Sequence, residues 1–259
     1  MIEIKNLDFS YRALPPVFEG FHLKVRRGEA WTVIGPSGCG KTTFLYLVAG
    51  LLRSRAGEVR IDGAPILRPR PETGLVLQDH GLLPWATVKE NAGLGLRIRK
   101  FYGPDGRHAP TRVPLNREEM GRRVHVWLKR LGIEALQGKY PSQLSRGERQ
   151  RTAIARTMAL GPDLLLMDEP FSALDATIRE DLQRLIMTLR KESGLTLVLV
   201  THDIEEALFL GEKVLVLKAS ANREPHIIEN DLAGLEDYRS RPEFKGRTET
   251  LRIALGELK

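Results

Sequence analysis

The stretch Gly35-Pro36-Ser37-Gly38-Cys39-Gly40-Lys41-Thr42-Thr43 constrains this chain more than any other. It fits G-x-x-x-x-G-K-[ST]. Ala30 to Ile34, just before it, is short and apolar like a buried strand. Thr42 to Leu52 reads as a helix, with Phe44, Leu45, Leu47, Val48 and Leu51 at helical spacing. A strand, a glycine-rich turn and a helix in that order make a cradle for phosphate. The glycines let main-chain N–H groups approach phosphate oxygens, and the helix N-terminus adds a favourable dipole. Lys41 is expected to bridge the β- and γ-phosphates, and the Thr42 hydroxyl to ligate Mg²⁺. Cys39 sits near a helix N-terminus and a lysine, two features that favour the thiolate.

A second signal is Leu164-Leu165-Leu166-Met167-Asp168-Glu169-Pro170, an apolar strand ending in consecutive carboxylates. Asp168 is placed to hold Mg²⁺ through water, and Glu169 to orient or deprotonate an attacking water. Together the two motifs describe a nucleotide hydrolase.

The remaining pattern alternates strand and helix. Ile2 to Ile4, Phe21 to Val25, Val59 to Ile61, Leu75 to Leu77, Leu195 to Val200 and Lys213 to Leu217 read as strands. Such alternation implies an α/β fold with a mainly parallel sheet. From about Asp79 to Leu160 the pattern is helical. Glu118 to Leu131 is amphipathic, with Met120, Val124, Trp127, Leu128 and Leu131 on one face. Residues 103 to 117, rich in Gly, Pro and Arg, read as an exposed loop. The expected organisation is one domain over residues 1–259. It comprises an N-terminal β and phosphate-loop part (1–79), a helical subdomain (80–160), the remaining core (161–218) and a tail (219–259) of no clear pattern.

Composition narrows the classes. No apolar run approaches the roughly 18 residues of a membrane span. The N-terminus lacks the apolar centre of a signal peptide, and Cys39 is the single cysteine, so a cytoplasmic setting is expected. The net charge of +7 resides in the stretch from Arg97 to Arg130, which holds ten Lys or Arg and three Asp or Glu. That stretch is either a solvated face or a contact for anionic head groups. Its aromatics, Phe101, Tyr102 and Trp127, do not alternate with the basic residues as base-stacking platforms, so no nucleic-acid partner is expected.

Between the two motifs lies Leu144-Ser145-Arg146-Gly147-Glu148-Arg149-Gln150-Arg151. It resembles the L-S-G-G-Q signature of ABC transporter ATPases, and the resemblance covers nearly the whole chain. Arg146 stands where that family most often has glycine, whereas Gly147 is kept. In family order, Tyr11 resembles the adenine-stacking aromatic and Gln78 the Q-loop glutamine. Ser172-Ala173-Leu174-Asp175 resembles the D-loop, and His202 the γ-phosphate-sensing histidine. Ser145 opens a helix and is read both as its cap and as a phosphate ligand. Asp175 is read either as a helix cap or as a dimer-interface residue.

The resemblance implies a P-loop NTPase core of RecA type, with an N-terminal antiparallel β part and an inserted helical subdomain. It implies ATP and Mg²⁺ as cofactors, with Thr42, Gln78 and Asp168 around the metal and Lys41, Gln78, Glu169 and His202 in catalysis. The nucleotide would lie against Tyr11 and the run from Gly35 through Pro36, Ser37, Gly38, Cys39, Gly40, Lys41 and Thr42 to Thr43. Ser145, Gly147, Glu148 and Asp175 of a paired ATPase subunit, a second copy in a homodimer, would cover it. The family further implies integral membrane permease subunits, an extracytoplasmic solute-binding protein and a peripheral place on the cytoplasmic face of the membrane. Leu82-Leu83-Pro84-Trp85-Ala86-Thr87-Val88 resembles the importers of nitrate, sulfonates and taurine, with relatives carrying thiamine precursors. Trp85 either packs the helical region or meets a partner. An exporter ATPase and a soluble ABC ATPase are the alternatives.

Overall fold

The strand expected before the phosphate loop is apolar at all but one position because both its faces are covered. In the computed structural model, which describes residues 1–12, 14–102, 116–235 and 237–256, all five of its residues are buried. The elements in chain order are β1 (Ile2–Phe9), β2 (Phe18–Val25), β3 (Ala30–Ile34), α1 (Lys41–Val48), β4 (Ala56–Ile61), β5 (Ala64–Pro65) and β6 (Thr73–Val76). Next come α2 (Val88–Ala92), α3 (Leu94–Tyr102), α4 (Arg117–Arg130), α5 (Arg146–Met158), β7 (Leu164–Asp168) and α6 (Ala176–Ser193). The chain continues with β8 (Thr196–Val200), α7 (Ile204–Leu210), β9 (Lys213–Val216), β10 (His226–Glu229) and α8 (Pro242–Leu255).

The chain divides into two compact units. The first holds Met1–Pro69, Leu166–Glu169 and Asp181–Lys259. Its central sheet runs β10-β9-β3-β8-β7, with β3 parallel to both β8 and β9 and β10 antiparallel to β9. Strands β3, β7 and β8 are buried at every position, which is why they read as continuous apolar runs. A separate antiparallel sheet runs β2-β1-β4-β5. Helix α1 ends at Val48, short of the expected Leu52. Gly50, at φ +73°, turns the chain there, and a Cβ on it would lie 2.6 Å from the Arg68 carbonyl oxygen.

The last 40 or so residues, which carry no clear sequence pattern, form part of this unit. Tyr238, Phe244 and Leu251 pack with Leu208, Val214 and Val216. The Tyr238 hydroxyl donates to Asn230 Oδ1 at 2.7 Å, and Asn230 Nδ2 donates to the carbonyls of Leu208 and Gly211.

The second unit holds Arg70–Leu165 and Pro170–Glu180. In it β6 flanks the start of β7, and the Asp163 N–H donates to the Glu72 carbonyl at 3.0 Å. Helices α2, α3, α4 and α5 make up most of the rest. Helix α4 buries Val124 and Leu128, and Leu131 follows it into the core, while Met120 and Trp127 are half-buried. The basic loop expected over 103 to 117 falls almost wholly outside the described residues. Among the described residues no helix is long and apolar enough to cross a membrane.

Candidate functional site

In the first unit the phosphate loop carries the chain from β3 into α1. Gly38 (φ +80°) and Gly40 (φ +103°) take up left-handed backbone that side chains resist. A Cβ on Gly40 would also lie 2.2 Å from Val17 Cγ1. Lys41 is buried and folds back over the loop, its Nζ donating to the carbonyls of Gly35 (2.8 Å) and Pro36 (3.1 Å). The loop borders a cavity of about 530 Å³ whose wall includes Tyr11, Ser37 to Thr43 and Glu169. The Tyr11 hydroxyl hydrogen-bonds the Thr43 hydroxyl at 3.0 Å, and the Tyr11 ring meets Phe9 edge-on.

At the end of β7 the Thr42 hydroxyl donates to Asp168 Oδ1 at 3.2 Å. Asp168 is buried, and burial raises its carboxyl above the ordinary range. The Thr42 hydrogen bond opposes that rise, the neighbouring Glu169 adds to it, and Lys41 opposes it. A hydroxyl beside one carboxylate suits Mg²⁺, which takes few protein ligands and completes its shell with phosphates and water. Glu169 follows at φ +43°, a left-handed conformation for a non-glycine residue. Its N–H donates to the Val200 carbonyl at 2.9 Å, and its Oε2 lies 3.0 Å from His202 Nδ1. Phosphate loop, a hydroxyl–carboxylate pair and a carboxylate touching histidine thus converge in this unit.

The thiolate expected at Cys39 is overturned. Cys39 is 3% exposed, and burial pushes its thiol above the ordinary value; the Lys41 charge and main-chain hydrogen bonds only oppose that. Proximity to a cation does not suffice when the sulfur is out of water.

Gln78, Ser145, Gly147, Glu148 and Asp175 belong to the second unit. Gln78 is exposed just past β6. The loop after it is tied to α5: the Arg156 guanidinium donates to the carbonyls of His80 (2.6 Å) and Gly81 (2.5 Å). Ser145 caps α5 in a reciprocal box. Its hydroxyl accepts from the Glu148 N–H (3.3 Å), and Glu148 Oε2 accepts from the Ser145 N–H (2.7 Å). Hydrogen bonds from the Ser145 main chain, chiefly, and side chain hold the Glu148 carboxyl below its ordinary value. Gly147 is buried, and a Cβ on it would lie 2.8 Å from Ile178 Cγ2, so packing demands glycine there. Arg146 is exposed on the first turn of α5. Asp175 is exposed directly before α6, its carbonyl accepting from the Arg179 N–H at 2.9 Å.

Several residues of the cavity wall carry no motif. Leu14, Pro15, Pro16 and Val17 line it on one side and Ala219 and Ser220 on another. Their contribution is shape and main chain, so residue type gives no signal.

Sheet, loop and carboxylates together define a P-loop nucleotide-binding protein with the means to hydrolyse its ligand. The protein-family profile described as ABC transporter matches residues 18–172. The taurine import ATP-binding protein TauB of Escherichia coli O157:H7 is 40% identical over 223 residues, covering 86% of this chain and 82% of the relative. TauB of Escherichia coli strain K12 matches to the same extent. A dimeric post-hydrolysis state of the ATP-binding cassette MJ0796, bound to ADP and Pi, superposes with TM-score 0.76 at 31% identity over 88% of this chain and 98% of that one. CbiO1 from Clostridium perfringens, described as part of the ABC transporter complex cbiONQ, gives TM-score 0.76 at 26% identity over 99% of this chain and 98% of its own. The chain belongs to the ABC transporter family, as one of its ATP-binding, ATP-hydrolysing subunits.

Proposed function

We propose that this ATPase powers uptake of a small sulfonate of the taurine type through membrane subunits, from a peripheral position on the cytoplasmic face of the membrane. Likeness to TauB supports the substrate class and the direction. A paired subunit, integral permeases and an extracytoplasmic solute-binding protein complete the assembly.

The observation that carries the chemical reading is the convergence of Lys41, the Thr42–Asp168 pair and the Glu169–His202 pair in one unit. Lys41 leaves the Gly35 and Pro36 carbonyls to meet the β- and γ-phosphates. Main-chain N–H groups from Gly35 to Thr43, with Pro36 shaping the turn, surround those phosphates, and the Tyr11 ring lies against the base. Thr42 and Asp168 would hold Mg²⁺, which when bound would offset charge on the phosphate oxygens. Glu169 orients a water and accepts its proton as the water oxygen bonds to the γ-phosphorus. The bond to the bridging oxygen breaks, and ADP leaves with the electron pair. His202 fixes the Glu169 carboxylate and reaches the γ-phosphate. Ser145, Gly147 and Glu148 of the paired subunit close over the nucleotide, with Asp175 at the seam, so ATP favours the closed dimer.

The test is ATPase and nucleotide binding by purified protein. Lys41→Ala is expected to lose ATP binding. Glu169→Gln is expected to keep it and lose about 10²-fold or more in turnover. Normal hydrolysis by Glu169→Gln would remove the carboxylate from its role. Labelled taurine uptake by cells lacking the chain, restored by the native sequence and not by Glu169→Gln, tests the substrate.

A further inference from the structure

We infer that Asn222, in the segment after β9 that carries no motif, is a positioning residue for the nucleotide phosphates; this rests on the reading of the phosphate loop above.

Asn222 is 5% exposed. Its Nδ2 donates toward three carbonyls, those of Val17 (3.2 Å), Cys39 (3.3 Å) and Lys218 (3.4 Å). Its Oδ1 accepts the Lys218 N–H at 2.9 Å. Acceptors on one side and a donor on the other require an amide in this orientation. The Asn222 main chain bonds as well. Its N–H donates to the Val17 carbonyl at 3.0 Å, and its carbonyl accepts from the Glu19 N–H at 3.1 Å.

The Cys39 carbonyl is the contact with consequence. It shares a planar trans peptide with the Gly40 N–H, and in such a plane C=O and N–H point in opposite directions. Holding the carbonyl on Asn222 therefore aims the Gly40 N–H the other way. The plane turns on ψ of Cys39 and φ of Gly40, and Gly40 at φ +103° has the freedom of glycine, so this peptide plane rotates easily unless anchored. The same amide braces Val17, which fills the space beside Gly40, and the turn from Lys218, whose Ala219 and Ser220 line the cavity. Backbone contact extends the brace: the Leu217 N–H donates to the Ile34 carbonyl at 2.8 Å, and a Cβ on Gly35 would lie 2.4 Å from the Leu217 carbonyl oxygen. One buried amide thus sets a peptide of the phosphate loop and two walls of the site.

Asn222→Asp keeps the shape and puts an oxygen against the three carbonyls. The control is Asn230→Asp, at another buried asparagine bonded to the Leu208 and Gly211 carbonyls. Three readouts apply below the melting temperature: KM and kcat for ATP, affinity for a fluorescent ATP analogue, and the rate of Cys39 alkylation without nucleotide. For Asn222→Asp the expectation is a KM and analogue Kd raised about tenfold or more, kcat within roughly threefold, and Cys39 labelled about tenfold faster. Asn230→Asp is expected to lower Tm while leaving Kd and Cys39 labelling within about twofold. Unchanged affinity and labelling in folded Asn222→Asp would overturn the inference. If the aspartate variant does not fold, Asn222→Ala is measured in the same way, and failure of both to fold would make Asn222 a folding residue and overturn it too. Loss of ATP binding by Lys41→Ala keeps the two claims apart. If Lys41→Ala binds ATP normally, the phosphate-loop reading fails; if it does not and Asn222→Asp does, this inference alone fails.

Discussion

At the scale of single residues the site stores free energy that the fold alone would not choose. Glu169 sits at φ +43°, and a non-glycine residue there costs about 1 kcal/mol or more. Its main chain is pinned to Val200 and its side chain to His202. Asp168 is a buried carboxyl whose pKa is raised chiefly by burial. A carboxyl raised in the folded state favours the protonated form there. Its contribution to stability is therefore greatest below the ordinary carboxylate range and is lost as pH rises through the folded value. At neutral pH the ion weighs against the fold. Asp168→Asn, with nucleotide and Mg²⁺ absent, is expected to raise Tm at pH 7 by a few degrees, the scale on which roughly 1 kcal/mol registers in a chain of this size. The gain should shrink as pH falls below the ordinary carboxylate range, and the variant should lose stabilisation by Mg-ATP. Thermal melts across pH, with and without Mg-ATP, check this. A variant less stable than the native protein at pH 7 would show that the Thr42 hydrogen bond outweighs burial.

At the scale of elements, the N-terminus of α5 carries two roles on one hydroxyl. Ser145 caps the helix, and in the proposed dimer it meets the γ-phosphate of the paired subunit. Aspartate separates these roles, because it caps as well as serine but brings a negative charge to a phosphate. Ser145→Asp is expected to keep Tm within about 1–2 °C and to lose about 10²-fold or more of ATPase. Ser145→Ala is expected to cost about 1 kcal/mol of stability. If Ser145→Asp hydrolyses ATP normally, Ser145 is a cap and nothing more. The Glu148 half of the box has a depressed pKa, so its support is present above the ordinary glutamate value and fades as pH falls through the folded one. Melts of Glu148→Gln and native protein are therefore expected to differ most at neutral pH, by under about 1 kcal/mol because glutamine also completes the box, and to converge as pH falls.

These elements also mark what a sequence discloses. The loop from Gly35 to Thr43, the strand ending at Asp168 and the cap at Ser145 are legible because each needs particular residue types at fixed spacing. The thiol of Cys39 misleads, since charge neighbours are visible in sequence and burial is not. Asn222, Val17, Ala219 and Ser220 are illegible for another reason. Val17, Ala219 and Ser220 act through main-chain groups and fit, and Asn222 acts through a side-chain amide whose main-chain partners are not evident from its neighbours in sequence. The extent of α1 is missed because Leu51 continues the helical spacing, whereas Gly50 ends the helix through backbone conformation.

At the scale of the whole molecule, the question is how hydrolysis reaches a membrane partner. In the second unit the segment after Gln78 leads to a tight turn held by one buried side chain. Asn91 Oδ1 accepts from the Leu83 N–H at 2.8 Å, and its Nδ2 donates to the carbonyls of Leu83, Ala86 and Thr87. With Ala86 and Val88 buried, the turn leaves Trp85 74% exposed, so Trp85 does not pack the helical region. A large rigid aromatic in water, on a turn braced from within, suits an anchor for a protein surface. We propose that it docks on a permease subunit. Because Trp85 buries little in the free subunit, Trp85→Ala is expected to leave Tm within about 1–2 °C and basal ATPase within about twofold. Permease-stimulated ATPase and uptake are expected to fall about tenfold or more, the loss typical of removing an interface anchor. Gln78→Ala is expected to lower basal and stimulated activity together, because the family resemblance implies a catalytic role for Gln78. Measuring basal ATPase, stimulated ATPase and uptake for both variants separates the two. Full stimulation and uptake by Trp85→Ala would place the docking surface elsewhere, and a large fall in its Tm would make Trp85 a packing residue after all.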